Sequence, residues 1–381
     1  MRRRRILQAV LSVVVLAALV GWFTHRAQLH AAWQVATIAA SLEDVPVGSR
    51  LTRVLTREPG AASTVTVAGL PATRVRAGGG GAAPALVLLV PGDTTAADLA
   101  DIGRAQRAIA RAGFTAWAVR VGRAGAGSTS LEDDVPLVAA LAAIAADEST
   151  AGRSISVAAG GADASRALVA PADPKLRRDV RAVLAVQPVA DVQGLVRLAV
   201  TGQTRTADGR DVRHGSAAKV RGDAGRSIVQ LVRDRSGGVD AAAAGALDEV
   251  LAADDPIAAF TQLPTDYLDA DLRAIQAVLG APDPQSFDAA WQRLPADLRA
   301  SADALSPSTA AGQVRARVLI VEPERDGDYP AADGMRLAEA LPAARVRASN
   351  VISAAAARAP SRGQVQALLA DATWWIDAAN D

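Results

Sequence analysis

Hydrophobic and polar residues change their spacing several times along this chain. Residues 6–23, "ILQAVLSVVVLAALVGWF", carry no charge. As a helix they would span about 27 Å, close to the hydrocarbon thickness of a bilayer. Residues 25–60 read as a juxtamembrane helix and linker, with helical periodicity through "AAWQVATIAASL". Next, "STVTVAGLPATRVRA" alternates β-branched residues with small or polar ones, which predicts two short strands joined at Gly69–Pro71. "GGGG" at 78–81 reads as a flexible connection. From Ala85 short, continuously apolar runs take over: "ALVLLV" (85–90), "FTAWAVRV" (114–121), "SISVA" (154–158), "RAVLAV" (181–186) and "RVLIV" (317–321). Helical patterns lie between them at 96–111, 131–146 and 162–170. A helix at 333–341, a weak strand at 345–352 and a last helix at 362–379 extend the series. Buried strands separated by helices predict an α/β fold, a mostly parallel sheet covered on both faces.

The alternation stops between about 192 and 306. A Gly/Arg-rich stretch, "TGQTRTADGRDVRHGSAAKVRGDAGR", precedes helical segments at 239–252, 269–279 and 285–304. An insert of this length is too long for a loop. It predicts a helical cap over a crevice at the strand ends. The expected organisation is a cytoplasmic tail (1–5), a transmembrane anchor (6–24), a juxtamembrane segment (25–60) and one α/β domain (61–381).

The four arginines of "MRRRR" favour a cytoplasmic N-terminus, with Trp22 and Phe23 at the far interface. A cleaved signal peptide is the alternative. Its apolar region is usually ~7–15 residues and ends at a small-residue site, which "THRAQLHAAW" does not offer. The expectation is a single-pass membrane protein with its main domain extracytoplasmic. Charge adds little: 41 basic and 40 acidic residues leave a net +1, which argues against nucleic acid as a partner. Lysine occurs only at 175 and 219, and cysteine is absent, so disulfides are excluded.

The most informative short stretch is "SISVAAGGADASRALVA", 154–170, in which a strand breaks at a glycine pair and becomes a helix. Around it stand "ALVLLVPGDTT", "RAGFTAWAVRVGRAGAGS", "LEDDVPLVAALAAIA", "RAVLAVQPVADV" and "LSPSTAAGQVRARVLIVEPERDGDYP". In this order the pieces resemble the α/β-hydrolase superfamily, in its bacterial esterase, peptidase and dienelactone-hydrolase-like branches, from about residue 63 to 378. The resemblance implies a Ser on a strained strand-to-helix turn, an acid after a later strand, and a His after that.

Set on this chain, the resemblance puts Gly161 at the nucleophile position. A shift of two residues puts Asp163 there, in "G-A-D-A-S", which resembles the aspartate elbow of haloalkane dehalogenases. The plainer reading of Asp163 is a first-turn carboxylate favoured by the helix dipole. Asp326, with Asp328 as second choice, falls at the acid position. No histidine follows it, because the chain has only His25, His30 and His214, and alanines occupy "NVISAAAARAP" where the base belongs. The loop after the first buried strand reads Pro91-Gly92-Asp93, which removes an amide donor and adds a negative charge beside any oxyanion.

"GRAGAGST" at 122–129 has the glycine spacing of a phosphate loop, but Ser128 stands where its lysine must be. No His/Cys cluster suits zinc, and "LAADDP" and "ERDGD" are too sparse for a calcium loop. No cofactor or metal is therefore expected. The arginines of 204–226 suit either acidic lipid or polymer or simple solvent exposure. The sequence thus predicts a non-catalytic hydrolase-like protein without the Ser–His–Asp triad, which binds a small-molecule or protein ligand in the crevice under the cap. The alternative is an ester, amide or dehalogenase-like hydrolase using Asp163 or Ser165 with Asp326.

Overall fold

A computed structural model describes residues 28, 30–39, 41, 56–92, 94–122, 131–206, 208–214, 220–222, 224–226, 228–229, 241–323, 329–349 and 362–380. Its centre is an eight-stranded sheet in the order β1-β2-β4-β3-β5-β6-β9-β10. The strands are β1 (Ala62–Val67), β2 (Leu70–Val75), β3 (Ala85–Pro91), β4 (Thr115–Val121), β5 (Ile155–Gly160), β6 (Val180–Val186), β9 (Arg317–Glu322) and β10 (Ala344–Ala348). From β4 through β10 every pairing is parallel, while β1–β2 and β2–β4 are antiparallel. The β1–β2 turn is tighter than the sequence predicted. Ala68 and Gly69 make it alone, both with positive φ, as a two-residue hairpin requires. Pro71 lies inside β2, where it meets Thr66 of β1.

Period-two alternation sorts the strand residues between two cores. Val87, Trp117, Val119, Val157, Val183 and Ile320 face one cluster. That side also holds residues of α2 (Leu131–Ala146), α3 (Gly161–Val169) and α11 (Ala331–Ala340). Leu86, Ala116, Ala158, Ala182 and Leu319 face the other. There α1 (Ala96–Arg111) and α12 (Arg362–Ala379) pack through Ile109, Trp375 and Ile376. Residues 30–39 are helical and join this second core through Ala31 and Val35. Gln34 fastens them: its Nε2 donates to Ala112 O at 3.0 Å, and Asn380 Nδ2 donates to its Oε1 at 2.7 Å. Among the described residues no helix is long and apolar enough to cross a membrane, and residues 6–24 lie outside them.

Between β6 and β9 the chain forms α4 (Val192–Thr201), a hairpin of β7 (Gln203–Arg205) and β8 (Asp211–Arg213), α5 (Ala241–Ala252) and α6 (Pro256–Thr261). The helices α7 (Ala270–Leu279), α8 (Pro284–Gln292), α9 (Ala296–Ala304) and the single turn α10 (Pro307–Ala310) follow. These elements share their own apolar cluster, with Leu247, Phe260, Leu272, Phe287 and Trp291 at its centre. The rings of Phe287 and Trp291 stack at 5.7 Å. The helix expected over 285–304 divides at Pro295, which opens α9 because proline cannot continue α8. The expectation missed α4 and the hairpin. Asp191 caps α4 by accepting from Gly194 N at 2.5 Å, and Gly202 ends it. Arg197 then holds the polar hairpin through Asp211 at 2.7 Å.

Candidate functional site

The central strand β5 runs buried from Ile155 to Ala159 and ends at Gly160, which is exposed and extended. The next residue, Gly161, has φ +60°, and α3 begins there. An L-residue at such a φ is strained and glycine is not. The sharp strand-to-helix turn that a hydrolase needs for its nucleophile is therefore present, with no side chain at its tip. A Cβ at Gly161 would lie 3.5 Å from Tyr329 Cε2 and 3.9 Å from its hydroxyl. Tyr329 is itself buried in the cluster of the insert, so its ring covers the elbow. A second kink lies alongside. Gly160 pairs with Val186 of β6, and the following Gln187 has φ +51°.

Asp163 and Ser165, the displaced candidates, are both buried in α3. Asp163 Oδ1 lies 3.4 Å from Arg166 Nη1 within the same helix, and Arg166 is buried with it. Ser165 Oγ donates to Val189 O at 3.0 Å and accepts from Val189 N at 3.0 Å. That hydroxyl satisfies both backbone groups of one residue in the loop after β6. On the oxyanion side, β3 ends at Pro91, whose carbonyl accepts from Thr94 N at 3.2 Å and Thr94 Oγ1 at 2.6 Å. Asp93, Asp326 and Asp328 lie outside the described residues, as does the stretch 350–361 where the family's histidine would fall. His214 stands at the end of β8, its backbone N–H donating to Gly202 O.

The structure brings forward carboxylates that the sequence did not single out. Val186 pairs with both Gly160 and Val321. Glu322 therefore ends β9 two strand spacings, roughly 10 Å, from the elbow. Neither of its carboxyl oxygens has a hydrogen-bond partner among the described residues. Burial, with the charge of Asp333 adding, pushes its pKa up to about 9. Asp333, in the first turn of α11, is also pushed up by burial, against the pull of Arg336. Its Oδ1 accepts from Arg336 Nη2 at 2.5 Å, and Ala190 N donates to its Oδ2 at 3.3 Å. The same Arg336 nitrogen lies 3.5 Å from Asp191 Oδ2. This cluster ties the helix after β9 to the loop after β6. At neutral pH Glu322 is protonated, so it offers no base to a nucleophile.

Beside this cluster a polar cleft of about 240 Å³ opens between α4, the β7–β8 hairpin, α8 and α11. Asp191, Arg197, Arg205, Asp288 and Arg336 line it. Arg197, only 4% exposed, pairs with Asp211 and Asp288, and Arg205 pairs with the same two carboxylates. Among the described residues no group of three or more His, Cys, Asp or Glu could hold a metal ion.

No protein-family model matches the chain, and no curated protein sequence does. Several solved structures are similar to it. Dipeptidyl peptidase 4 from Porphyromonas gingivalis is 12% identical, with a TM-score of 0.44; the match covers 84% of this chain and 35% of that one. This chain thus spans about a third of that peptidase. An α/β hydrolase from Sphaerobacter thermophilus DSM 20745 is 18% identical with a TM-score of 0.42, covering 81% and 99% of the two chains. Est1E from Butyrivibrio proteoclasticus is 9% identical with a TM-score of 0.40, covering 76% and 88%. In its strand order, its antiparallel first edge and its glycine-built elbow, the chain itself resembles the α/β-hydrolase superfamily and has that fold.

Proposed function

We propose that this protein is a membrane-anchored, extracytoplasmic α/β-hydrolase-like protein that has abandoned Ser–His–Asp hydrolysis and acts by binding a small molecule or a partner protein. The observation that carries the reading is the pairing of Gly161 with Tyr329. The elbow keeps its backbone turn, lacks a nucleophile, and lies under an aromatic ring that packs with the insert. An activated nucleophile also needs a base within hydrogen-bond reach. The chain offers no histidine after the acid position. The polar cleft beside Arg197 and Arg336 is the candidate ligand site, because several charged groups converge on one concave space there. The anchor rests on the uncharged run at 6–23 and the four arginines before it.

The rival reading, hydrolysis through Asp163 or Ser165 with Asp326, would have to release Ser165 from Val189 and Asp163 from Arg166. The test is turnover of short-chain esters and haloalkanes by the full chain in detergent. The reading expects rates no higher than buffer. Turnover lost in Ser165→Ala or in Asp163→Asn overturns it.

A further inference from the structure

The helix over residues 30–39 packs Ala31, Val35 and Ile38 into the second core and turns an alanine-rich face outward. Beside these three apolar residues the inward face also buries Gln34 and Thr37. Its outward face carries Trp33 flanked by Ala32, Ala36 and Ala39, all exposed and none of them polar or charged. Trp33, the one large side chain on that face among the described residues, is 43% exposed. At 100° per residue these four fall within one face, with the polar Gln28 at one margin and the buried Thr37 at the other. A helix facing water normally turns its polar residues outward. The inner face is held by that apolar packing and by Gln34, bonded to Ala112 and Asn380, without help from the outer residues.

The chain before this helix says what covers the outer face. His30 follows Phe23, the last residue of the uncharged run, by seven residues, which is at most ~25 Å of extended chain. If 6–23 spans the bilayer, the helix is held within that reach of its surface. Tryptophan is the residue most suited to a place where one side is apolar and the other wet. The alanines beside it are short enough to let the ring reach past them. We infer that the face formed by Ala32, Trp33, Ala36 and Ala39 lies on the lipid headgroup boundary, with Trp33 as its anchor. The α1/α12 side of the sheet is then turned toward the membrane and the α2/α3/α11 side away from it. The occupant is a lipid surface, and the inference rests on the anchor reading above.

The absence of cysteine allows a single-site test in the full chain. Ala36→Cys is labelled with an environment-sensitive nitrobenzoxadiazole dye and reconstituted in vesicles of phosphatidylcholine and phosphatidylglycerol at 3:1. Met335→Cys, on α11 beyond the other face of the sheet and 59% exposed, is the reference position. The expected result is a blue-shifted dye at 36, quenched severalfold by brominated phosphatidylcholine and shielded from iodide, with the opposite behaviour at 335. A Trp33→Asp change in the Ala36→Cys chain should restore iodide access at 36. Carbonate extraction separates the two readings. Protein released by alkaline carbonate means the anchor has failed. Protein retained in the membrane, with position 36 as open to iodide as 335, overturns this inference alone.

Discussion

Gly161 and Tyr329 occupy the two sides of one contact: the left-handed glycine at the end of β5 leaves 3.5 Å between the place of a Cβ and the Tyr329 ring. That spacing is ordinary van der Waals contact, so a Cβ fits the space and the backbone is what objects. Gly161→Ser should therefore fold, at a cost of about 1–3 kcal/mol from the positive φ. It should gain no esterase activity, because a hydroxyl without a base stays a poor nucleophile. Guanidinium unfolding and ester turnover check the two halves of this prediction.

Ser165 gives the opposite pattern. Its hydroxyl is the partner of both Val189 N and Val189 O, all in a buried setting. Ser165→Ala should cost about 1–3 kcal/mol, the penalty for leaving buried polar groups unpaired. The denaturation midpoint should fall while the unfolding slope stays unchanged. A catalytic serine at this position would instead lose turnover with little change in stability.

Glu322 makes stability depend on pH in the less familiar direction. Its pKa in the folded chain is raised from an ordinary 4.5 to about 9, so between those values the folded chain holds a proton that the unfolded chain has released. Its contribution is whole below pH 4.5 and is lost as pH rises to 9, at no more than about 1.4 kcal/mol per pH unit. Asp147 and Asp255, whose carboxyls are held below their ordinary value, act only in the acid range below it. Unfolding midpoints measured from pH 5 to 9 should fall steadily in the native chain. The slope should be shallower in Glu322→Gln, where Asp333 remains.

Gly334 and Glu322 should be energetically coupled. A Cβ at Gly334 would lie 2.9 Å from Glu322 Cδ, closer still to its Oε1, and 3.0 Å from Ile320 Cγ2. Gly334→Ala should cost about 1–3 kcal/mol by overpacking. In the Glu322→Ala background most of that cost should disappear. A double-mutant cycle in denaturant measures the coupling, expected between about 0.5 and 3 kcal/mol.

The frame of the fold was legible because β3, β4, β5, β6 and β9 are short apolar runs separated by amphipathic helices. The double glycine at 160–161 announced the turn, and its positive φ is what a glycine there allows. The contents of the site were less legible because they depend on distant partners. Ser165 reads as a helix residue until Val189, 24 positions on, is brought against it. Tyr329 reads as a loop aromatic until the insert packs around it. Glu322 ends an apolar strand before Pro323, an odd place for a charge, and that was the one signal available for it. The short helix α4 lies just before the Gly/Arg-rich stretch and its hairpin within it, and their hold is the pairing of Arg197 and Arg205 with Asp211 and Asp288, which no local pattern announces.

The most direct test of the central claim is the intact mass of the full chain after incubation with an alkyl fluorophosphonate, with heat-denatured protein as control. The account predicts an unmodified mass in the native chain and in Ser165→Ala alike. A stoichiometric adduct that appears only on native protein and vanishes in Ser165→Ala would contradict it.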